Sequence, residues 1–189
     1  MTRQISDTLL FEGKKHLLNT EILEVFFKNN AQTRPKIEIM CSALWRGYIA
    51  SFEIVNGELQ ISDVRWLMDI NFRMESKLND LFLNKKADWY SGLIRIDDFG
   101  GEFDIEPENG IFEYLEILNG NFVKRLKFNY TELQKFKEEQ YQYFIISDDV
   151  EPIYELFRKN NVSGLINEDS VNTIIKKHIM RYTTKVYVS

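Results

Sequence analysis

The chain has 189 residues, of which 44% are hydrophobic, 28% charged and 14% aromatic, with only three prolines and nine glycines. A chain of this length buries about 70% of its unfolded surface on folding, and the composition excludes a disordered, collagen-like or low-complexity protein. The formal net charge of −5 argues against nucleic acid as a partner, because binding to phosphates requires a basic field.

The few metal-binding and thiol side chains limit the chemistry further. One cysteine, Cys41, cannot form an internal disulfide, and with His16 and His178 it cannot complete a four-ligand zinc site of the Cys/His type. The sequence starts without the apolar run of a signal peptide, and no stretch approaches the roughly 20 apolar residues of a membrane-spanning helix. We therefore expect a cytoplasmic protein without a cofactor, a metal or a membrane partner.

The N-terminal part of the chain alternates in the strand period, with turn residues between the runs. Residues 8–11 and 16–18 flank a Glu-Gly-Lys triplet, which predicts a hairpin or a bend. Residues 23–29 predict one or two helical turns. The clearest strand covers residues 42–55, where apolar residues occupy alternate positions.

Two Asn-Gly dipeptides, at positions 56–57 and 119–120, are the strongest short signals for two-residue hairpin turns. The first follows the strand at residues 42–55, and the second joins apolar runs at residues 112–118 and 122–128. Each dipeptide therefore predicts a pair of adjacent antiparallel strands.

Between the two hairpins, apolar residues recur at helical spacing and predict an inserted helix near residues 70–84, followed by a strand at residues 88–96. The residues at this spacing are Ile70, Met74, Leu78, Leu81 and Phe82.

After residue 130 the pattern becomes helical. Residues 131–134 (Thr-Glu-Leu-Gln) resemble a capping box that begins a first helix, and Asp148 and Asp149 precede a second. Asn167 or Ser170 can cap a third. The predicted fold class is α+β: a mostly antiparallel β-meander with one inserted helix over residues 1–130, and a helical C-terminal module over residues 131–189 packed on it as one compact unit.

Signatures of common enzymes are absent from the sequence. It contains no G-x-x-x-x-G-K-[ST] or G-x-G-x-x-G phosphate loop, no G-x-S-x-G elbow, no S-x-x-K and no H-E-x-x-H. We assign no catalytic residue and expect a protein that is not an enzyme.

Arg46 lies in the predicted strand on the same face as large apolar residues such as Leu44 and Phe52. If that face is buried, Arg46 must be paired, because an unpaired buried charge costs several kcal/mol or more. Asp88 or Glu53 could be its partner. The alternative is an arginine that holds an anion in a cleft with nearby aromatic residues, namely Trp45, Tyr48, Trp89 and Tyr90.

The strongest local bias in the chain is acidic. Residues 96–123 contain eight carboxylates and no lysine or arginine. One interpretation is a set of solvated loops, and the other is a face for a basic partner, since complementary potentials speed encounter and set specificity. The candidate partner-binding residues are Asp97, Asp98, Phe99, Glu102, Phe103, Asp104, Glu106 and Glu108, with Phe112 as a further aromatic anchor.

Three stretches together carry a resemblance to a family: residues 7–13 (DTLLFEG), 42–59 (SALWRGYIASFEIVNGEL) and 87–96 (ADWYSGLIRI). They resemble an uncharacterised family of small bacterial proteins that has a WRGYxAxWEI strand followed by an ADWFSG strand. The resemblance covers about residues 5–130. Phe52 stands where the family has Trp, and the segment after Ile96 is more acidic than the family pattern. The resemblance implies no activity.

These observations predict a non-enzymatic protein-binding protein, most concretely an immunity-type inhibitor that occludes a bacterial toxin through an acidic surface. Its partner would be a basic protein such as a toxin domain. The alternative is an enzyme or small-ligand-binding protein that holds an anion with Arg46 and the neighbouring aromatic residues.

Overall fold

The computed structural model describes residues 4–37, 39, 41–98, 105–160 and 167–188. These residues form eight strands: β1 (Asp7–Phe11), β2 (Lys14–Leu18), β3 (Tyr48–Val55), β4 (Glu58–Leu67), β5 (Met74–Ser76), β6 (Gly92–Arg95), β7 (Ile111–Leu118) and β8 (Asn121–Asn129). They also form six α-helices: α1 (Ile22–Asn29), α2 (Leu78–Leu81), α3 (Tyr130–Ile145), α4 (Glu151–Asn160), α5 (Glu168–Lys177) and α6 (Ile179–Tyr182). Short 3₁₀ helices occupy Ala31–Thr33 and Asp148–Val150.

All eight strands belong to one sheet in the order β2-β1-β3-β4-β8-β7-β6, with β5 added beside β4. Every pair of strands is antiparallel except β1 and β3, which run parallel because α1 lies in the crossover between the β1–β2 hairpin and β3. The predicted α+β class with a mostly antiparallel sheet is confirmed.

Three hairpins have two-residue turns whose residues all adopt positive φ angles, between 48° and 79°: Glu12-Gly13, Asn56-Gly57 and Asn119-Gly120. This conformation matches the right-handed twist of the flanking strands. A Cβ atom added at Gly120 would lie 2.7 Å from the carbonyl oxygen of Ala87, so glycine is also required there for close packing. Both Asn-Gly predictions and the Glu-Gly hairpin are confirmed.

The sheet consists of two parts that meet at a single residue pair, Glu58 and Asn121. The two ends of the sheet, β2 and β6, lie close together. Nδ1 of His16 in β2 donates to the carbonyl oxygen of Ile96, just after β6, at 2.5 Å. One core, which includes Leu9, Phe52 and Leu115, lies against the inner face of this curved sheet together with α1.

The outer face of β6 and β7 carries a second core under the C-terminal helices, which includes Phe112, Phe144 and Ile175. Strand β6 is therefore buried on both faces, and all four of its residues are buried. None of the helices formed by the described residues is long and apolar enough to cross a membrane.

The predicted helix near residues 70–84 is largely wrong. Met74–Ser76 form β5 on the edge of β4, and only Leu78–Leu81 are helical. The side chain of Asp69 accepts hydrogen bonds from the backbone N–H groups of Asn71 and Arg73, which favours a turn. The apolar spacing was accidental, since Ile70 is 81% exposed.

The strand predicted at residues 42–55 begins only at Tyr48. Turns occupy the preceding residues, and Gly47 has a φ of 76° that a strand residue does not adopt. The capping box of α3 is also displaced by two residues: Asn129 is the N-cap and pairs reciprocally with Glu132. Asn167 caps α5, as one of the two predicted alternatives.

Candidate functional site

Arg46 is buried in the turn before β3 and is paired with a carboxylate. Its Nη1 lies 2.8 Å from Oδ2 of Asp7, and the two side chains are 5% and 1% exposed. Nη2 donates to the carbonyl oxygen of Ile5 at 3.0 Å, while Oδ1 of Asp7 accepts from the backbone N–H of Ala50 at 2.8 Å. The prediction that Asp88 or Glu53 pairs with Arg46 is wrong. Asp7 is the partner, because β1 lies directly beside β3 in the sheet.

The site shifts the pKa of both members of this pair. Burial raises the pKa of the Asp7 carboxyl above its ordinary value, against the opposing effect of Arg46. Although burial alone would lower the pKa of Arg46, the carboxylate of Asp7 raises it above the ordinary arginine value. A second carboxylate, Glu21, lies 4.0 Å from Nε of Arg46. The guanidinium therefore already has two anionic neighbours from the chain itself.

A second polar group adjoins the first through Tyr48. Its hydroxyl donates to Oε1 of Glu24 at 2.7 Å, and Arg34 binds both oxygens of Glu24 at 2.7 and 3.0 Å. Burial alone would raise the pKa of Glu24, but these donors lower it below the ordinary value. Burial and the nearby carboxylates of Asp7 and Glu24 raise the pKa of Tyr48, so its hydroxyl stays protonated.

The aromatic residues predicted around Arg46 are dispersed. The ring of Tyr48 faces the guanidinium at 5.1 Å, whereas Trp45 is half exposed at the surface. Trp89 stacks on Phe82 with ring centroids 5.3 Å apart, and Tyr90 is buried in the main core. Packing within the protein therefore accounts for the positions of these aromatic residues. An anion site at Arg46 stays a prediction.

Much of the acidic span is neutralised by the chain itself. Arg95 binds both oxygens of Asp97 at 2.8 and 2.9 Å with both side chains buried. Lys137 binds the two oxygens of Glu106 at 2.8 and 3.0 Å, and Gln134 donates to the same carboxylate. Asp97 and Glu106 are therefore each committed to an ion pair within the chain.

Two other predicted carboxylates face solvent. The side chain of Asp98 is 84% exposed and makes an exposed contact with Lys14 at 3.1 Å, and Glu108 is also exposed. The isoleucines Ile105 and Ile111, on either side of Glu108 in the chain, are 57% and 46% exposed. We call Asp98, Ile105, Glu108 and Ile111 the acidic edge.

The remaining predicted partner-binding residues, Phe99, Glu102, Phe103 and Asp104, lie outside the described residues. The prediction that Phe112 anchors an interface is wrong. It is fully buried in the second core, where the guanidinium of Arg95 lies 5.2 Å from its ring.

A cavity of about 550 Å³ lies between the sheet and the C-terminal helices, and sequence reasoning missed it. We call it the basic cleft, because five basic side chains and two carboxylates line it: Arg95, Lys137, Lys176, Lys177, Arg181, Glu106 and Glu138. The basic residues among positions 176–181 were the one feature of the sequence that pointed to this cleft. The described residues contain no group of three or more side chains placed to hold a metal ion.

Comparisons of this chain with protein-family models, with characterised proteins and with solved structures find no match.

Proposed function

We propose that the protein is a non-enzymatic binding protein of the immunity type, a cytoplasmic inhibitor that occludes a basic toxin domain with its acidic edge. The observation that supports this proposal is the combination of exposed apolar and exposed acidic side chains among the described residues between positions 98 and 111 of the chain. Ile105 and Ile111 are large apolar residues that remain about half exposed, and Asp98 and Glu108 lie near them in the chain.

The two kinds of side chain would make different contributions to binding. Apolar residues that become fully desolvated supply most of the interface energy. Carboxylates around them steer a basic partner to the surface and exclude acidic ones. The contact between Lys14 and Asp98 does not oppose this role, because an exposed ion pair is worth only about 0–1 kcal/mol and a partner can replace it.

The proposal separates the carboxylates of the acidic span into two groups. Asp97 and Glu106 are already bound by Arg95 and Lys137, so their replacement would break an ion pair within the chain as well as change any interface. Asp98 and Glu108 can be changed with little effect on folding, because their side chains face solvent. Variants at these two positions therefore test recognition alone.

The test is capture of a toxin domain by the purified protein, followed by binding measurements with surface variants. We expect Ile111→Ser to weaken binding of the captured domain, and the double change Asp98→Asn with Glu108→Gln to weaken it further. Val123→Ser is the matched control, because Val123 is 49% exposed on β8 and does not belong to the acidic edge.

Two results would contradict the proposal. One is a captured domain that binds the acidic-edge variants and the Val123→Ser control with the same affinity as the wild type. The other is a failure of the protein to protect cells when it is co-expressed with each toxin domain encoded near its own gene.

An anion held by Arg46 receives less support from the geometry. The guanidinium donates to Asp7 and to the carbonyl oxygen of Ile5, and Glu21 lies within 4.0 Å. A ligand anion would have to displace or join these groups in a buried site.

A further inference from the structure

The charge of the basic cleft is opposite to that of the whole protein. The chain carries a net charge of −5, yet five basic side chains and two carboxylates line this cavity, and one of the five, Arg95, is already paired with the buried carboxylate of Asp97. Like charges that converge on one concavity raise the local potential and concentrate counter-ions there. The arrangement therefore favours an anionic occupant.

Basic residues at the end of α5 have an ordinary explanation, because cations stabilise the C-terminus of a helix. That explanation covers Lys176 and Lys177 in α5 and Arg181 in the last turn of α6, and it does not extend to Arg95 and Lys137. Arg95 comes from β6, and Lys137 comes from the middle of α3. Basic groups from four separate elements, β6, α3, α5 and α6, thus line the same cavity, and the helix dipole does not explain those from β6 and α3.

One part of the cleft already holds a carboxylate supplied by the chain. Oε1 and Oε2 of Glu106 lie 2.8 and 3.0 Å from Nζ of Lys137, and Nε2 of Gln134 donates to Oε2 at 2.9 Å. These two donors therefore bind a planar anion at the wall of the cavity. An incoming anion would compete with Glu106 for them.

Other positive charge is not committed in this way. Lys177 makes no ion pair with another residue that the structure describes, and Lys176 contacts Glu138 only in an exposed pair, with side chains 50% and 48% accessible. A multiply charged ligand could attract both lysines at little cost, since exposed pairs are weak.

We propose that the basic cleft binds a small phosphorylated molecule that carries at least two negative charges. The cavity volume of about 550 Å³ lies within the usual range for small-molecule sites. Lysine ammonium groups and arginine guanidinium groups are the ordinary protein ligands of phosphate. Leu93 and Met180 add apolar walls against which an organic part of the ligand can pack. This site is independent of the acidic edge.

The experiment is titration calorimetry of the full chain with inorganic pyrophosphate at low ionic strength, together with its effect on the melting temperature. We expect saturable binding that weakens as salt is added, because the interaction is between charges. Lys177→Gln should weaken binding about tenfold, the loss of one charge-assisted contact to phosphate. Lys135→Gln is the matched control: Lys135 also lies on an exposed helix face, and it does not line the cleft.

A second variant tests the position of the ligand through an expected increase in affinity. Glu106→Gln removes the competing carboxylate and should tighten pyrophosphate binding severalfold. Failure of pyrophosphate to bind would overturn the proposal, as would equal losses in Lys177→Gln and Lys135→Gln, or unchanged or weaker binding in Glu106→Gln. Citrate is the comparison ligand, and binding of citrate as tight as that of pyrophosphate would overturn the assignment to phosphate.

Discussion

Removal of the buried arginine should be among the most damaging single changes in the sheet. Arg46→Ala would leave the carboxylate of Asp7, which is 1% exposed, without its cationic partner. Loss of one member of a buried ion pair costs about 3 to 5 kcal/mol. For a protein of this size the loss corresponds to a fall in melting temperature of about 6 to 20 °C. Urea unfolding at neutral pH gives the free energy directly from the midpoint and the slope.

A matched control separates this effect from the loss of any arginine. Arg73 is 63% exposed and pairs with Asp69 at 3.2 Å, so Arg73→Ala should cost less than about 1 kcal/mol. Removing both buried charges, with Arg46→Met and Asp7→Asn together, should restore part of the stability that Arg46→Ala loses. The reasoning is refuted if Arg46→Ala unfolds at the wild-type urea midpoint, or if its loss is no larger than that of Arg73→Ala.

Three further predictions concern other polar groups. The hydrogen-bond donors around Glu24 lower its pKa in the folded protein, despite burial. The stability that Glu24 contributes is therefore present above the ordinary pKa of 4.5 and is lost as pH falls through the lower pKa of the folded state. Glu24→Gln should reduce the decline of the urea midpoint on acidification. Gln140 is buried and bonds both the carbonyl oxygen of Lys185 and the backbone N–H of Tyr187, so Gln140→Leu should cost about 2 to 4 kcal/mol and speed hydrogen exchange at the Tyr187 amide. Asn129→Ala removes the capping box of α3 and should lower the free energy of unfolding by about 1 kcal/mol, measured by urea unfolding, whereas an unchanged value would show that the cap contributes nothing.

Local signals in the sequence predicted the parts of the fold that depend on local conformation. An Asn-Gly pair specifies a hairpin because both residues accept positive φ, and both such hairpins are present. Helical periodicity was a weaker guide. Between residues 70 and 84 it competed with a turn held by Asp69 and with an open edge of β4, and the tertiary contacts decided the outcome.

Properties that depend on residues far apart in the chain could not be predicted. Burial of Arg46 followed from its apolar neighbours, but its partner Asp7 lies 39 positions away and is brought close by the parallel pairing of β1 with β3. Likewise, Arg95, Lys137 and Lys177 meet in one cleft only because the C-terminal helices pack on the outer face of β6 and β7. The acidic span was visible in the sequence, whereas the ion pair of Glu106 with Lys137, 31 positions away, was not.

The central claim is that an exposed acidic edge guides a basic toxin domain to this protein. The most direct measurement is the association rate with the captured domain at two salt concentrations, for the wild type and for the variant with Asp98→Asn and Glu108→Gln. We predict that the variant associates about threefold to tenfold more slowly at low salt, with a smaller salt dependence, and melts at the wild-type temperature. Association at the wild-type rate with the same salt dependence would contradict the claim.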